Sequence, residues 1–264
     1  MARDAGFFDQ WYSEMGRSGR RDQIARRALG LPPGMDASGL LPWTALTEVT
    51  ATLNLAPGQL LVDLGCGRGG YGLEIARQTG ARLLGLDFSP VAVAAAARRA
   101  AAARGAAAAR SAADADVTGR AAFCVGDVMA TGIGTNTADA VVCIETIMFV
   151  SPPLDAFREC RRILAAAGRL VLTCWEAVNR ADQRHPPWAR RLDLRRDLTE
   201  AGFEHVRIAS KPAWREAERD LYESALQADA AGDPAIESFQ EEARRGLELF
   251  DSSRRICVTA TAPG

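Results

Sequence analysis

A chain of 264 residues can build one large α/β domain around a sizeable core, since chains approaching 300 residues hide about three quarters of their unfolded surface. Its 48% hydrophobic and 25% charged residues exclude a disordered or fibrous protein. Basic residues (32) and acidic residues (33) nearly cancel, which argues against nucleic acid, because proteins that grip polyphosphate carry a basic excess.

The first 23 residues lack the apolar run of a secretion signal, and no window holds the roughly 18 uncharged apolar residues of a membrane span. A cytoplasmic protein with no membrane partner is therefore expected. Residues 1–56 read as a helical cap: Phe8, Trp11, Tyr12 and Met15 fall at helical spacing, Gly16 and Gly19 interrupt, and another helix is expected over 43–53. From residue 57 the pattern changes to strands alternating with helices. Strands are expected over 60–64, 82–87, 121–125, 139–144 and 169–175. Helices are expected over 70–78, over the Ala-rich stretch 91–115 opened by Ser89 and Pro90, and from Ser151-Pro152-Pro153 to near Gly168. Such alternation means a parallel sheet with right-handed crossovers, a doubly wound α/β architecture.

The end departs from this rhythm, with a helix over 188–201, a strand over 203–209, two helices within 214–250 broken at Gly232-Asp233-Pro234, and a last strand over 255–260. One domain is expected, divided into a cap (1–56), a core (57–210), a helical insertion (211–252) and the last strand (253–264). Cys66, Cys124, Cys143, Cys160, Cys174 and Cys257 form no C-x-x-C pair, so they read as buried thiols, with neither disulfide nor metal site. Lys211 is the only lysine, an imbalance read as the codon usage of a GC-rich bacterial genome.

The sharpest motif is Val62-Asp63-Leu64-Gly65-Cys66-Gly67-Arg68-Gly69-Gly70, a glycine-rich turn between a strand and a helix. Asp87 follows 22 residues beyond Gly65, at the end of the next strand, where a carboxylate can accept ribose hydroxyls of a nucleotide. Asp63 distinguishes the nucleotide. It would repel a pyrophosphate but suits an ammonium and a sulfonium, which favours S-adenosylmethionine over NAD.

These residues resemble the class I S-adenosylmethionine-dependent methyltransferases, in particular the bacterial small-molecule group related to quinone biosynthesis. The resemblance implies that Gly65, Cys66 and Gly67 border the methionine part of the cofactor, that Asp87 holds the ribose, and that Phe88 lies against the adenine. In Val125-Gly126-Asp127-Val128 it implies Asp127 on the adenine amino group and the Val128 backbone on the ring, with Gly126 beside them. In 139–145 it implies that the end of the fourth strand, at Ile144 and Glu145, meets the cofactor's amino-acid moiety. Residues 168–172 match the family's fifth strand, with Ala165-Ala166-Ala167 replacing its usual Pro-Gly lead-in. The family fold is a seven-stranded, mostly parallel Rossmann-like sheet whose antiparallel last strand inserts beside its predecessor, with acceptor specificity in the N-terminal helices and the late insertion.

Methyl transfer from a sulfonium is an in-line displacement, so positioning and water exclusion carry much of it, and a base is needed only where the acceptor loses a proton. Glu145 and the loop residue His185 are the catalytic candidates, and Glu176 is balanced between substrate contact and a helix-start acid. Trp11, Tyr12, Phe149 and Trp175 are candidates for the wall of an apolar acceptor site. The Arg-rich runs around 17–27 and 184–196 read as solvated helix faces. The expected function is methylation of a small apolar or aromatic acceptor; the alternative is a non-methylating cyclisation or decarboxylation on the same fold. An NAD oxidoreductase is disfavoured by Asp63 and by Gly126-Asp127. The N-terminal helices leave pairing into a homodimer open.

Overall fold

A computed structural model describes residues 5–108 and 120–264. Three helices come first: α1 (Ala5–Arg17), α2 (Gly19–Ala28) and α3 (Trp43–Leu53). The glycine interruption becomes a one-residue break at Ser18, whose side chain accepts the Arg20 amide and caps α2. The spacing of Phe8, Tyr12 and Met15 gives α1 one buried stripe, as expected.

The alternating region follows as β1 (Leu60–Leu64), α4 (Gly70–Thr79), β2 (Arg82–Asp87), α5 (Pro90–Ala108), β3 (Ala121–Val125), β4 (Ala138–Ile144), α6 (Pro153–Ile163) and β5 (Leu164–Ala177). The expected continuation of α5 beyond residue 108 lies outside the described residues. The last part holds α7 (Pro187–Arg191), α8 (Leu194–Glu200), β6 (Glu204–Ser210), α9 (Pro212–Gln227), α10 (Pro234–Glu248) and β7 (Ser253–Thr261).

These strands form one seven-stranded sheet in the order β3-β2-β1-β4-β5-β7-β6. β1 to β5 run parallel, and β7 inserts antiparallel between β5 and β6. β1 is buried along nearly its whole length, as a strand covered on both faces must be. One face packs under α3, α4, α9 and α10 through residues such as Leu46, Ile75, Leu221 and Phe239, and the other holds Phe157, Leu172 and Leu198.

Three expectations shift. α6 stops at Ile163 instead of near Gly168, because Leu164 already pairs with Ala138 while 165–168 loop out before Arg169 pairs with Ala140. The helix expected over 188–201 is two helices, because the Asp193 side chain accepts the Arg196 amide and starts α8 afresh. Five cysteines are buried and Cys124 is half-buried; burial pushes the Cys143 thiol up to about 12, so it stays protonated. No helix among the described residues is long and apolar enough to cross a membrane, and none of them form a group of three or more metal-ligating side chains.

Candidate active site

The C-terminal ends of β1, β2, β4 and β5 share one edge of the sheet, where open α/β sheets hold ligands. At this edge the chain leaving β1 turns on Gly65 (φ 71°) and Gly67 (φ 53°), left-handed conformations that favour glycine. A Cβ on Gly65 would stand 2.2 Å from the Thr146 methyl, and one on Gly67 would stand 2.9 Å from the Tyr12 hydroxyl oxygen. The turn is thus pressed between the end of β4 and helix α1.

Asp87 braces the turn from β2. Its carboxylate accepts the Gly67 amide at 2.8 Å and the Ser89 amide at 2.9 Å. Each carboxylate oxygen keeps a further acceptor position. Asp63 lies buried behind the turn, where burial first and Asp87 second push its carboxyl from the ordinary 3.8 up to about 7. Burial also raises the Asp87 carboxyl, against the hydrogen bonds from Ser89 and Gly67. Neither acid has an ion-pair partner among the described residues. Two buried carboxyl groups beside the turn fit a cationic ligand better than an anionic one.

The neighbouring cofactor candidates gather at the same edge. Cys66 and Ile144 are buried, the Gly126 amide donates to the Asp87 carbonyl at 3.0 Å, and exposed Asp127 accepts the Met129 amide at 2.8 Å, ahead of half-buried Val128. Phe8 of α1 packs between the rings of Phe88 (5.3 Å) and Phe149 (5.1 Å), each of which remains 38% exposed. Trp11 packs on Tyr12 at 4.9 Å.

The catalytic candidates are placed differently from one another. Glu145 leaves β4 with φ 56°, a strained value for a non-glycine residue, and its carboxylate accepts the Leu40 amide at 2.7 Å and pairs with Arg255 of β7. His185 is buried rather than on the surface: its Nε2 lies 3.0 Å from the Ser252 carbonyl, joining the loop after β5 to the turn before β7. Glu176 pairs with Arg254 and Arg180. Trp175 lies under Arg255, with the guanidinium carbon 4.0 Å from its ring centre, and donates its indole N–H to Glu218 of α9 at 2.7 Å.

Several residues here carried no sequence signal. Arg68, inside the glycine turn, makes a buried two-pronged pair with Asp22 of α2 at 3.0 and 2.6 Å, and Arg99 of α5 donates to the Arg68 carbonyl and to Asp36. Arg21 departs from the solvated reading of its run, being buried beside Trp11 and Phe239. Glu218 and Arg255 come from an insertion and a strand whose patterns were read only as helix and strand.

Residues 62–172 match the family described as "Methyltransferase domain". The match covers 111 of the 264 residues, from β1 into β5, and makes that part of the chain similar to a methyltransferase domain. The sterol 24-C-methyltransferase ERG6 of Saccharomyces cerevisiae is 27% identical over 129 residues, 49% of this chain and 30% of its own length. The mitochondrial ubiquinone biosynthesis O-methyltransferase of Schizosaccharomyces pombe is 30% identical over 128 residues, 48% of this chain and 42% of its own length. The chain thus spans less than half the length of these curated relatives. A solved Haemonchus contortus phosphoethanolamine N-methyltransferase with S-adenosylhomocysteine superposes with a TM-score of 0.69 at 16% identity, over 96% of this chain and 60% of that one. The [4+2]-cyclase SpnF superposes with a TM-score of 0.66 at 25% identity, over 83% of this chain and 81% of that one. At 16% identity the H. contortus likeness concerns the fold alone.

Proposed function

We propose that the protein transfers a methyl group from S-adenosylmethionine to a small apolar or aromatic organic acceptor. The observation that carries this reading is the pair of buried acids, Asp63 and Asp87, set around a left-handed glycine turn without cationic partners. The bound cofactor would supply a methyl group activated by its sulfonium charge. Asp87 would hold ribose hydroxyls, Asp127 and the Val128 backbone the adenine edge, and Phe88 its face. Gly65, Cys66, Gly67 and Ile144 would border the amino-acid part, with Asp63 favouring the cation.

Trp11, Tyr12 and Phe149 would line the acceptor's approach and keep water out, with Trp175 deeper. Glu145 has one oxygen committed to Leu40 and the other to Arg255, so in this reading it fixes the acceptor wall. His185 anchors the loop after β5. The reading carries with it bacterial small-molecule metabolism in the cytoplasm, and sedimentation analysis tests the homodimer that the N-terminal helices leave open.

Isothermal titration with S-adenosylmethionine and S-adenosylhomocysteine should show binding of both, and no binding would sink the proposal. Release of S-adenosylhomocysteine with a methylated product separates methyl transfer from a cyclisation of the kind SpnF's name describes.

The Asp63 carboxyl predicts a pH dependence. An acid raised in the folded state favours folding while protonated, so its contribution to stability is present at acid pH and is lost as the pH climbs to about 7. A cationic ligand selects the ionised form. Affinity for S-adenosylmethionine should therefore rise roughly tenfold between about pH 6 and pH 8, with proton release on binding. Asp63→Asn should flatten that rise; calorimetry in buffers of different ionisation enthalpy reads both effects.

A further inference from the structure

Beneath the helical insertion, side chains from four parts of the chain meet: Glu145 at the end of β4, half-buried Trp175 on β5, and Arg255 of β7 against Glu218 of α9, the three charged groups being buried. Their bonding is incomplete in a specific way. Arg255 gives Nη2 to Glu145, while its Nε and Nη1, fully buried, donate to nothing. Glu218 takes the Trp175 indole N–H on Oε1, while its buried Oε2 accepts nothing. Nε and Oε2 stand 3.8 Å apart, too far for a hydrogen bond and close enough for one oxygen atom to touch both.

A group seated between the two would accept from a guanidinium and donate to a carboxylate. An ether or a carboxylate only accepts, and an ammonium only donates. A hydroxyl does both. The cluster also lies next to the glycine turn, because Thr146, adjacent to Glu145, donates to the Gly65 carbonyl at 3.3 Å.

We propose that Arg255 and Glu218 recognise the acceptor, and that the acceptor presents a hydroxyl between Nε of the one and Oε2 of the other. The proposal rests on the methyltransferase reading and adds to it the class of acceptor and the atom methylated. As the hydroxyl oxygen forms its bond to the methyl carbon, the sulfur–methyl bond breaks with its electron pair left on sulfur. The hydroxyl proton passes to Glu218. Burial raises the proton affinity of Glu218, ahead of the opposing pull of Arg255, which suits a group that must take a proton. Arg255 steadies the charge on the oxygen as that proton leaves.

Phenol and anisole test the assignment, since they share a ring and differ in one O–H. Titrated calorimetrically into the protein saturated with S-adenosylhomocysteine, phenol should bind at least about tenfold more tightly than anisole, because the methyl ether leaves Glu218 without a donor. Glu218→Gln keeps an oxygen for Trp175 and turns the waiting acceptor into an N–H donor. There the preference should fall to within about twofold while S-adenosylhomocysteine binds as in the wild type. Equal binding of the two probes, no phenol binding, or a preference that survives in Glu218→Gln overturns the hydroxyl site, the pair then holding a structural water alone. Failure of S-adenosylhomocysteine itself to bind overturns the methyltransferase reading instead.

Discussion

Arg255→Met is expected to destabilise the fold by about 3–5 kcal/mol, the range for breaking a buried ion pair by removing one partner. Methionine fills much of the space but leaves Glu145 and Glu218 as two buried acids with no cation between them. In the wild type, burial pulls the Arg255 guanidinium down and the two carboxylates more than offset it, so its proton affinity is raised. Without it, both acids can remain buried only by taking up protons. The deficit should therefore be largest at alkaline pH and shrink as the pH falls. Urea titrations at pH 5 and pH 8 check this, and an equal deficit at both would mean that packing, and not charge, dominates.

Asp87→Ala should act on both binding and folding. If its carboxylate takes the ribose hydroxyls, S-adenosylmethionine affinity should fall by about 1–3 kcal/mol, the value of hydrogen bonds to a charged group. The same change strips the Gly67 and Ser89 amides of their acceptor, and each buried amide left without a partner costs about 1–3 kcal/mol. Asp87→Asn keeps an oxygen for one amide and should recover part of the stability while still binding the cofactor weakly. Calorimetry alongside thermal unfolding separates the two effects. Unchanged cofactor affinity in Asp87→Ala would remove this residue from the ribose site.

The legible parts of this protein were those whose signals are local. Leu60–Leu64, Arg82–Asp87 and Ala121–Val125 announced themselves as short apolar runs closed by glycine or acid, and the turn at Gly65 and Gly67 needed only its own residues to be recognised. The expectation for Asp63 is electrostatic, and the structure buries its carboxyl and raises it to about 7. What escaped was built by chain segments that meet only after folding. Glu145 and Arg255 are 110 positions apart, and neither pattern carries a mark of the other. His185 sits in a polar loop sequence and still becomes buried, because the Ser252 carbonyl offers it a partner. Arg21 looked like one more solvated cation in a basic run, yet the rings of Trp11 and Phe239 flank it. Asp193 had the right chemistry for a cap, but the apolar spacing around it read as one unbroken helix.

The Asp22–Arg68 pair, with Arg99 reaching Asp36, sets an order of events during synthesis. The first 36 residues leave the ribosome before any of the sheet, yet the arginines that hold Asp22 and Asp36 lie 46 and 63 positions downstream of them. The cap therefore cannot dock as it emerges. It must wait, with the apolar side chains of α1 exposed, until the turn after β1 and the helix after β2 have been made. A nascent chain stalled between these points would present Phe8, Trp11 and Met15 to chaperones, and the completed chain would not.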